Sequence, residues 1–249
     1  MISAKPLPQV PLWIALRLLL PLLFFTCHPT RDVVPAVQPD PNLPADTTLA
    51  YLALGDSYTI GTSVAAEERW PVQLAATLLT REGVRLEPLE IVARNGWRTD
   101  NLANALAADP PGNDWDLVSL LIGVNDQYQG FDAAGYAARF RALLDEAIRY
   151  ARGDTAHVFV VSIPDYAYTP FGGGNADISR ELDEFNAIAR AVCEEYGVPF
   201  LDIVPISRQG LDRPELVAGD NLHPSGLQYG RWVDEVIASA VAQMIARWD

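Results

Sequence analysis

The chain has 249 residues, 49% of them hydrophobic, and a formal net charge of −14 at neutral pH. That apolar fraction supports a substantial core and excludes a mostly disordered chain. The acidic balance, with no basic block anywhere, argues against nucleic acid as a partner. Two cysteines, Cys27 and Cys193, make no disulfide framework, and no Cys or His pair stands at metal-ligand spacing, so no structural zinc is expected.

Residues 1–26 read as a signal peptide. Lys5 precedes an apolar run from Pro11 to Phe25, broken by Arg17 and Pro21 and shorter than the roughly 20 residues a spanning helix needs. The run stops at Thr26-Cys27, a loose form of a bacterial lipoprotein cleavage site, with Cys27 as the residue that would carry lipid. Phe25 and Thr26 are bulkier than the usual residues before such a cysteine, and an uncleaved anchor is the other reading. Residues 27–46, with prolines at 29, 35, 39, 41 and 44, read as an extended tether. The folded domain is expected over 47–249, exported to the bacterial cell envelope, with membrane attachment only through the N-terminus.

From Leu49 the chain alternates apolar runs with amphipathic stretches. Leu49 to Leu54 is a short buried strand, broken by Gly55 and followed at once by Asp56, Ser57 and Tyr58. Trp70-Pro71 opens a helix with Leu74, Leu78 and Leu79 on its apolar face. Val84 to Ala93 is a second strand, and Thr99 is placed to cap a helix through Ala108. Asp116 to Ile122 is a near-continuous apolar strand, as in a sheet covered on both faces. A long helix from about Asp132 to Arg152 carries Phe140, Leu143, Leu144 and Ile148. Then come a strand from His157 to Ile163, a Gly-rich loop from Tyr166 to Asn175, and a helix from about Ile178 to Tyr196. A fifth strand from Phe200 to Val204 precedes a closing helix from Ser225 to Trp248, where Ser225 and Gln228 fit a capping box. The alternation predicts an α/β domain of three layers, α/β/α, around a mainly parallel five-stranded sheet. Cys193, within a helix, reads as a small core residue.

Four motifs carry chemistry: GDSY at 55–58, NG at 95–96, GVND at 123–126 and DNLHPS at 220–225. The first three follow strand ends, which share one edge of a parallel sheet. Ser57 is the candidate nucleophile, although Asp and Ser also close ordinary turns. A serine hydroxyl needs a base to take its proton. Of three histidines, His28 lies in the tether and His157 opens a buried strand at the far edge, which leaves His223. Asp220, three residues earlier, can reach the far ring nitrogen, though a plain turn before a helix would hold the same residues. Gly96 offers a backbone N–H and Asn125 a side-chain amide for a developing oxyanion, and each also fits a turn. Trp97, Tyr128, Tyr166, Tyr168 and Phe171 follow strand ends and are candidates for a substrate pocket or for loop packing on the core.

In this order the blocks resemble the SGNH hydrolases of the GDSL esterase/lipase superfamily, over residues 55 to 223. The resemblance implies a flavodoxin-like fold, with Ser57 as nucleophile, His223 as base and Asp220 as orienting acid. It also implies an oxyanion hole made of the Ser57 N–H, the Gly96 N–H and the Asn125 side chain. GDSY in place of GDSL changes a packing position, and Asp56 is read as tying the loop to neighbouring backbone. The implied reaction is two-step acyl transfer, without cofactor, on a small-molecule ester or an acylated glycan or lipid. The superfamily spans lipases, thioesterases, lysophospholipases and carbohydrate deacetylases, and fold alone does not choose among them. Acyl length, leaving group and oligomeric state are not written in these motifs. Two other readings stand beside it: a surface-binding lipoprotein that has lost turnover, and glycoside hydrolysis by Asp56 and Asp126 as paired carboxylates.

Overall fold

The computed structural model describes residues 31–33 and 47–248. Six strands form one sheet: β1 (Arg31–Val33), β2 (Thr47–Gly55), β3 (Val84–Ala93), β4 (Leu117–Leu121), β5 (Val158–Val161) and β6 (Phe200–Leu201). Their order is β1-β3-β2-β4-β5-β6. The last five run parallel, with β2 between β3 and β4. In chain order this is the 2-1-3-4-5 arrangement of flavodoxin-like sheets, whose switch point lies beside the first strand of the parallel set.

The helices are α1 (Ser57–Ile60), α2 (Trp70–Glu82), α3 (Thr99–Ala108), α4 (Val124–Tyr128), α5 (Ala133–Tyr150), α6 (Ala176–Tyr196), α7 (Val204–Ser207), α8 (Gly226–Trp232) and α9 (Ala238–Ile245). One layer packs α2 against α8 and α9, and the other packs α5 against α3 and α6. Both faces of the sheet are therefore covered. This is why Tyr51, Leu52, Ala53, Leu54 and the whole of β4 are buried without alternation. Cys193 is a buried free thiol in α6, and burial pushes its pKa up to about 12. Among the described residues, no helix is long and apolar enough to cross a membrane.

Three features differ from the sequence reading. Arg31–Val33, inside the stretch read as a tether, pairs antiparallel with β3, Asp32 opposite Ile91. These residues lie between Pro29 and Pro35, so their N–H groups are free to fill the open edge of the sheet. The predicted signal peptide, Cys27, His28 and the remainder of the tether lie outside the described residues. The fifth strand stops at Leu201, because Val204-Pro205 turns into α7. The closing helix is interrupted by a π-helical turn at Val233–Ile237. Tyr229, Val233, Ile237 and Val241 are all buried and recur every four residues. That spacing drifts about 40° per step in a regular α-helix, and the wider π turn absorbs the drift. Ser225 caps α8 by accepting from the Gln228 N–H, whereas the Gln228 side chain donates to the Leu216 carbonyl instead of closing the box.

Gly55 ends β2 where no side chain fits. A Cβ there would lie 2.2 Å from Thr59 Oγ1 and 2.6 Å from the Leu121 carbonyl oxygen. The glycine lets α1 fold back against the ends of β2 and β3 while β2 stays close to β4. Gly55→Ala is expected to cost about 2–3 kcal/mol, since one of the two contacts is with backbone that cannot move aside. Urea unfolding measures it, and an unchanged midpoint would mean that the turn tolerates a side chain.

Candidate active site

Asp56 leaves β2 fully buried and accepts a hydrogen bond from the Tyr58 N–H at 3.0 Å, which starts α1. Ser57 is thereby the first residue of that short helix. The chain then bends back sharply, with the Gly61 and Thr62 N–H groups both donating to the Ser57 carbonyl at 3.1 and 3.0 Å. The Ser57 loop is also tied to the loop after β3 by a hydrogen bond from the Thr62 hydroxyl to Asn95 Oδ1.

Gly96 sits in that second loop at φ +77°, with open space where a Cβ would project. The left-handed backbone suits glycine, and nothing shields the peptide from the pocket it lines. Its carbonyl accepts from Gln129 Nε2 at 3.3 Å. Asn125 is the second residue of α4, just past the end of β4, and its Nδ2 donates to the Trp97 carbonyl at 2.9 Å. An amide has two N–H bonds. One is spent on Trp97, which fixes the plane of the group and leaves the second for another acceptor. Asp126 anchors the same pair of loops. Fully buried, it accepts from the Thr99 N–H at 2.9 Å, the Thr99 hydroxyl at 2.6 Å and Arg139 Nε at 3.3 Å. Thr99 is therefore the first residue of α3 rather than its cap, because its hydroxyl serves Asp126.

The fourth loop carries Asp220 and His223. Asp220 Oδ2 lies 2.6 Å from His223 Nδ1, while Oδ1 accepts the Leu222 and His223 N–H groups at 2.9 Å each. Partial burial works to raise the pKa of this carboxyl. The hydrogen bonds from Ser63, the two backbone N–H groups and His223 outweigh burial and hold it well below the usual range. The Tyr58 ring packs edge-on against the imidazole, with centroids 5.5 Å apart. The residue that replaces leucine in the first motif thus touches the candidate base.

Ser57, Gly96, Asn125 and His223 line one cavity of about 220 Å³, together with Tyr58, Tyr128, Tyr166 and Phe171. Asn95, Val124 and Leu222, each inside one of the four motifs, complete its wall. Tyr128, Tyr166 and Phe171 form a triangle of rings with centroids 6.2 Å apart on each side. Trp97 is not part of this wall: its ring packs on the core, and only its carbonyl reaches the site, through Asn125. Tyr168 is turned away, beneath the Arg208 guanidinium. His157 is remote from the pocket, with Nδ1 2.6 Å from the Asp116 carbonyl and its ring stacked on Trp248. Asp56 and Asp126 are both fully buried and neither lines the cavity, which removes the geometric basis for a paired-carboxylate glycosidase.

The model of the GDSL-like lipase/acylhydrolase family matches residues 53–231. Among solved structures, the acetylxylan esterase Axe2 from Geobacillus stearothermophilus superposes with a TM-score of 0.59 at 20% identity, covering 82% of this chain and 96% of its own. The psychrotrophic esterase EstA from Pseudoalteromonas sp. gives 0.57 at 17% identity, covering 82% and 98%. LAE5, an alpha/beta hydrolase enzyme from the metagenome of Lake Arreo, gives 0.58 at 19% identity, covering 83% and 99%. At these identities the likeness is one of fold. No curated protein matches the sequence.

Asp56 is the electrostatic opposite of Asp220. Burial pushes its pKa up to about 8, the Tyr58 N–H works against this, and the nearby Asp126 adds to it. Among the described residues its Oδ2 has no hydrogen-bond partner. A folded-state pKa above the unfolded value gives stability that is fully present below the unfolded value and is lost as pH rises through about 8. Wild-type stability should therefore fall from pH 4 toward pH 8 relative to Asp56→Asn, with a limiting slope of about 1.4 kcal/mol per pH unit. Denaturant titrations of both proteins at several pH values test this, and parallel curves would show that Asp56 is ionised in the native state.

Proposed function

Because the chain belongs to the GDSL-like lipase/acylhydrolase family, and so is a hydrolase of ester bonds, we propose that Ser57 is its nucleophile and His223 its general base. The observation that carries this is the meeting of four loops. Ser57, Gly96, Asn125 and His223 line one cavity, and Asp220 stands on the outer nitrogen of His223. Ser57 Oγ attacks the ester carbonyl carbon while His223 Nε2 takes the hydroxyl proton. The carbonyl oxygen gains charge and is met by the Ser57 and Gly96 N–H groups and the free Asn125 amide N–H. His223 returns the proton to the departing alcohol, leaving an acyl-serine. Water, deprotonated by His223, then releases the acid and restores Ser57. Asp220, held ionised by its donors, keeps Nδ1 protonated and stabilises the imidazolium in each half-reaction.

We assign the substrate to short acyl esters of glycans outside the cell. The cavity, at about 220 Å³, is small for a long chain, and the exposed Tyr128 and Phe171 rings on its wall offer faces on which a sugar can stack. Axe2, which shares the fold, is an acetylxylan esterase. The signal-like run of residues 1–26 supports export, and attachment at Cys27 is part of the same proposal.

A series of p-nitrophenyl esters from acetate to decanoate tests both parts. The acetyl ester should give the highest kcat/KM, and a rank order favouring decanoate would replace the glycan reading with a lipid one. Ser57→Ala should be inert. Asn125→Ala should lose roughly 10²–10³ in kcat at little cost in KM, as expected for a donor that acts mainly on the transition state. A Ser57→Ala protein that retained the wild-type rate would remove the nucleophile assignment.

A further inference from the structure

The Asp220 carboxylate has one more partner than the resemblance to known hydrolases supplies. Ser63 Oγ donates to Asp220 Oδ2 at 2.6 Å, the same oxygen that faces His223 Nδ1. Ser63 belongs to the bend that follows the nucleophile, one residue past Thr62, whose N–H is bonded to the Ser57 carbonyl. Its backbone is left-handed, at φ +68°, a conformation a non-glycine residue rarely adopts without a compensating contact. On the other side of the contact Asn221 is also left-handed, at φ +64°, which turns Asp220 back over the Leu222 and His223 N–H groups. Two bends are thus held so that a hydroxyl and a carboxylate 157 residues apart in the chain meet.

We propose that Ser63 is a positioning residue of the catalytic pair, clasping the nucleophile loop to the histidine loop and setting how strongly His223 holds its proton. The physical argument is charge sharing. A hydroxyl that donates to Oδ2 draws negative charge from the atom that stabilises the imidazolium. His223 then surrenders its proton more readily, which suits a base that must also act as an acid within one turnover. The clasp also fixes the carboxylate plane, so that the imidazole keeps one tautomer and one orientation. Other polar groups face the pair. Tyr58 of α1 packs on the imidazole, Asp165 and Tyr166 from the loop after β5 line the adjoining cleft, and Tyr229 of α8 lies within electrostatic reach of Asp220. Asp165 is already engaged by Arg208 and Ser179. Replacing Ser63 leaves all of these in place.

The role of Ser63 in catalysis rests on the esterase reading above, so its test includes a measurement that does not. Ser63→Gly removes the hydroxyl and accepts the left-handed backbone without strain. Ser63→Asn keeps a donor and also tolerates that backbone. The His223 imidazole can be followed by NMR across pH, its resonance identified as the one lost in His223→Ala. In Ser63→Gly the titration should move to higher pH by about 0.5 unit, a roughly threefold rise in proton affinity, and kcat should fall about three- to tenfold with KM little changed. The thermal midpoint should stay within a few degrees of the wild type, the relieved backbone offsetting part of the lost hydrogen bond, and Ser63→Asn should move the titration and kcat back toward the wild type. A Ser63→Gly protein that is folded, with the His223 titration unmoved, would overturn the proposal, as would Gly and Asn variants that behave alike. A wild-type protein inert toward every ester would undo the functional reading and leave the titration to be judged by itself.

Discussion

Gly55, at the end of the central strand, stands opposite Ala93 on one side and Leu121 on the other. Three residues of the pocket wall hang from that register. The first residues past the three strand ends carry Ser57, Gly96 and Asn125, and parallel pairing brings them to one edge without any contact among the side chains themselves. A slip of one residue in either pairing would exchange the faces of a whole strand, and because both faces are apolar it is the close packing of unlike side chains that opposes it. The hydrophobic core, through this register, sets the geometry of the polar site.

Two aspartates near Ser57 show how environment divides one side chain into two kinds of group. Asp220 is partly open to solvent and receives four hydrogen bonds, so it remains an anion and a permanent acceptor. Asp56 is closed off from water and accepts the Tyr58 N–H on one oxygen, so burial favours its neutral form. The first suits the orientation of a charged imidazolium. The second suits a scaffold that starts a helix turn without placing another negative charge beneath the pocket. Asp126 belongs to neither class: its oxygens are taken by Thr99 and Arg139, and its effect is to hold the loop after β3 against the loop after β4.

The loops of the site are joined by short polar contacts that bypass the sheet. Thr62 reaches Asn95, Gln129 reaches Gly96, Asn125 reaches Trp97, and Ser63 reaches Asp220. Such contacts are individually modest in water. Their value lies in geometry, since each removes a way for one loop to drift relative to the next. The aromatic triangle of Tyr128, Tyr166 and Phe171 does the same by packing at the pocket mouth, where it also offers apolar surface to a ligand.

Much of this architecture is written locally. Val84–Ala93 is a strand in the sequence and in the structure with the same ends, and the long helices follow their apolar periodicity. The short helices α1, α4 and α7 were not legible, because four or five residues are too few to show a period. The pairing of Arg31–Val33 was hidden because it depends on an open sheet edge elsewhere in the chain. The sequence by itself determined the layered fold, the four motifs and the identity of the residues able to act as nucleophile, base and donor, since these follow from side-chain chemistry and hydrophobic spacing. Only the tertiary structure decided that Trp97 contributes a carbonyl instead of a ring, that Tyr58 touches the imidazole, and that Ser63 meets Asp220. Those outcomes depend on the direction in which each loop leaves its strand, and direction is set by packing against segments far away in the chain.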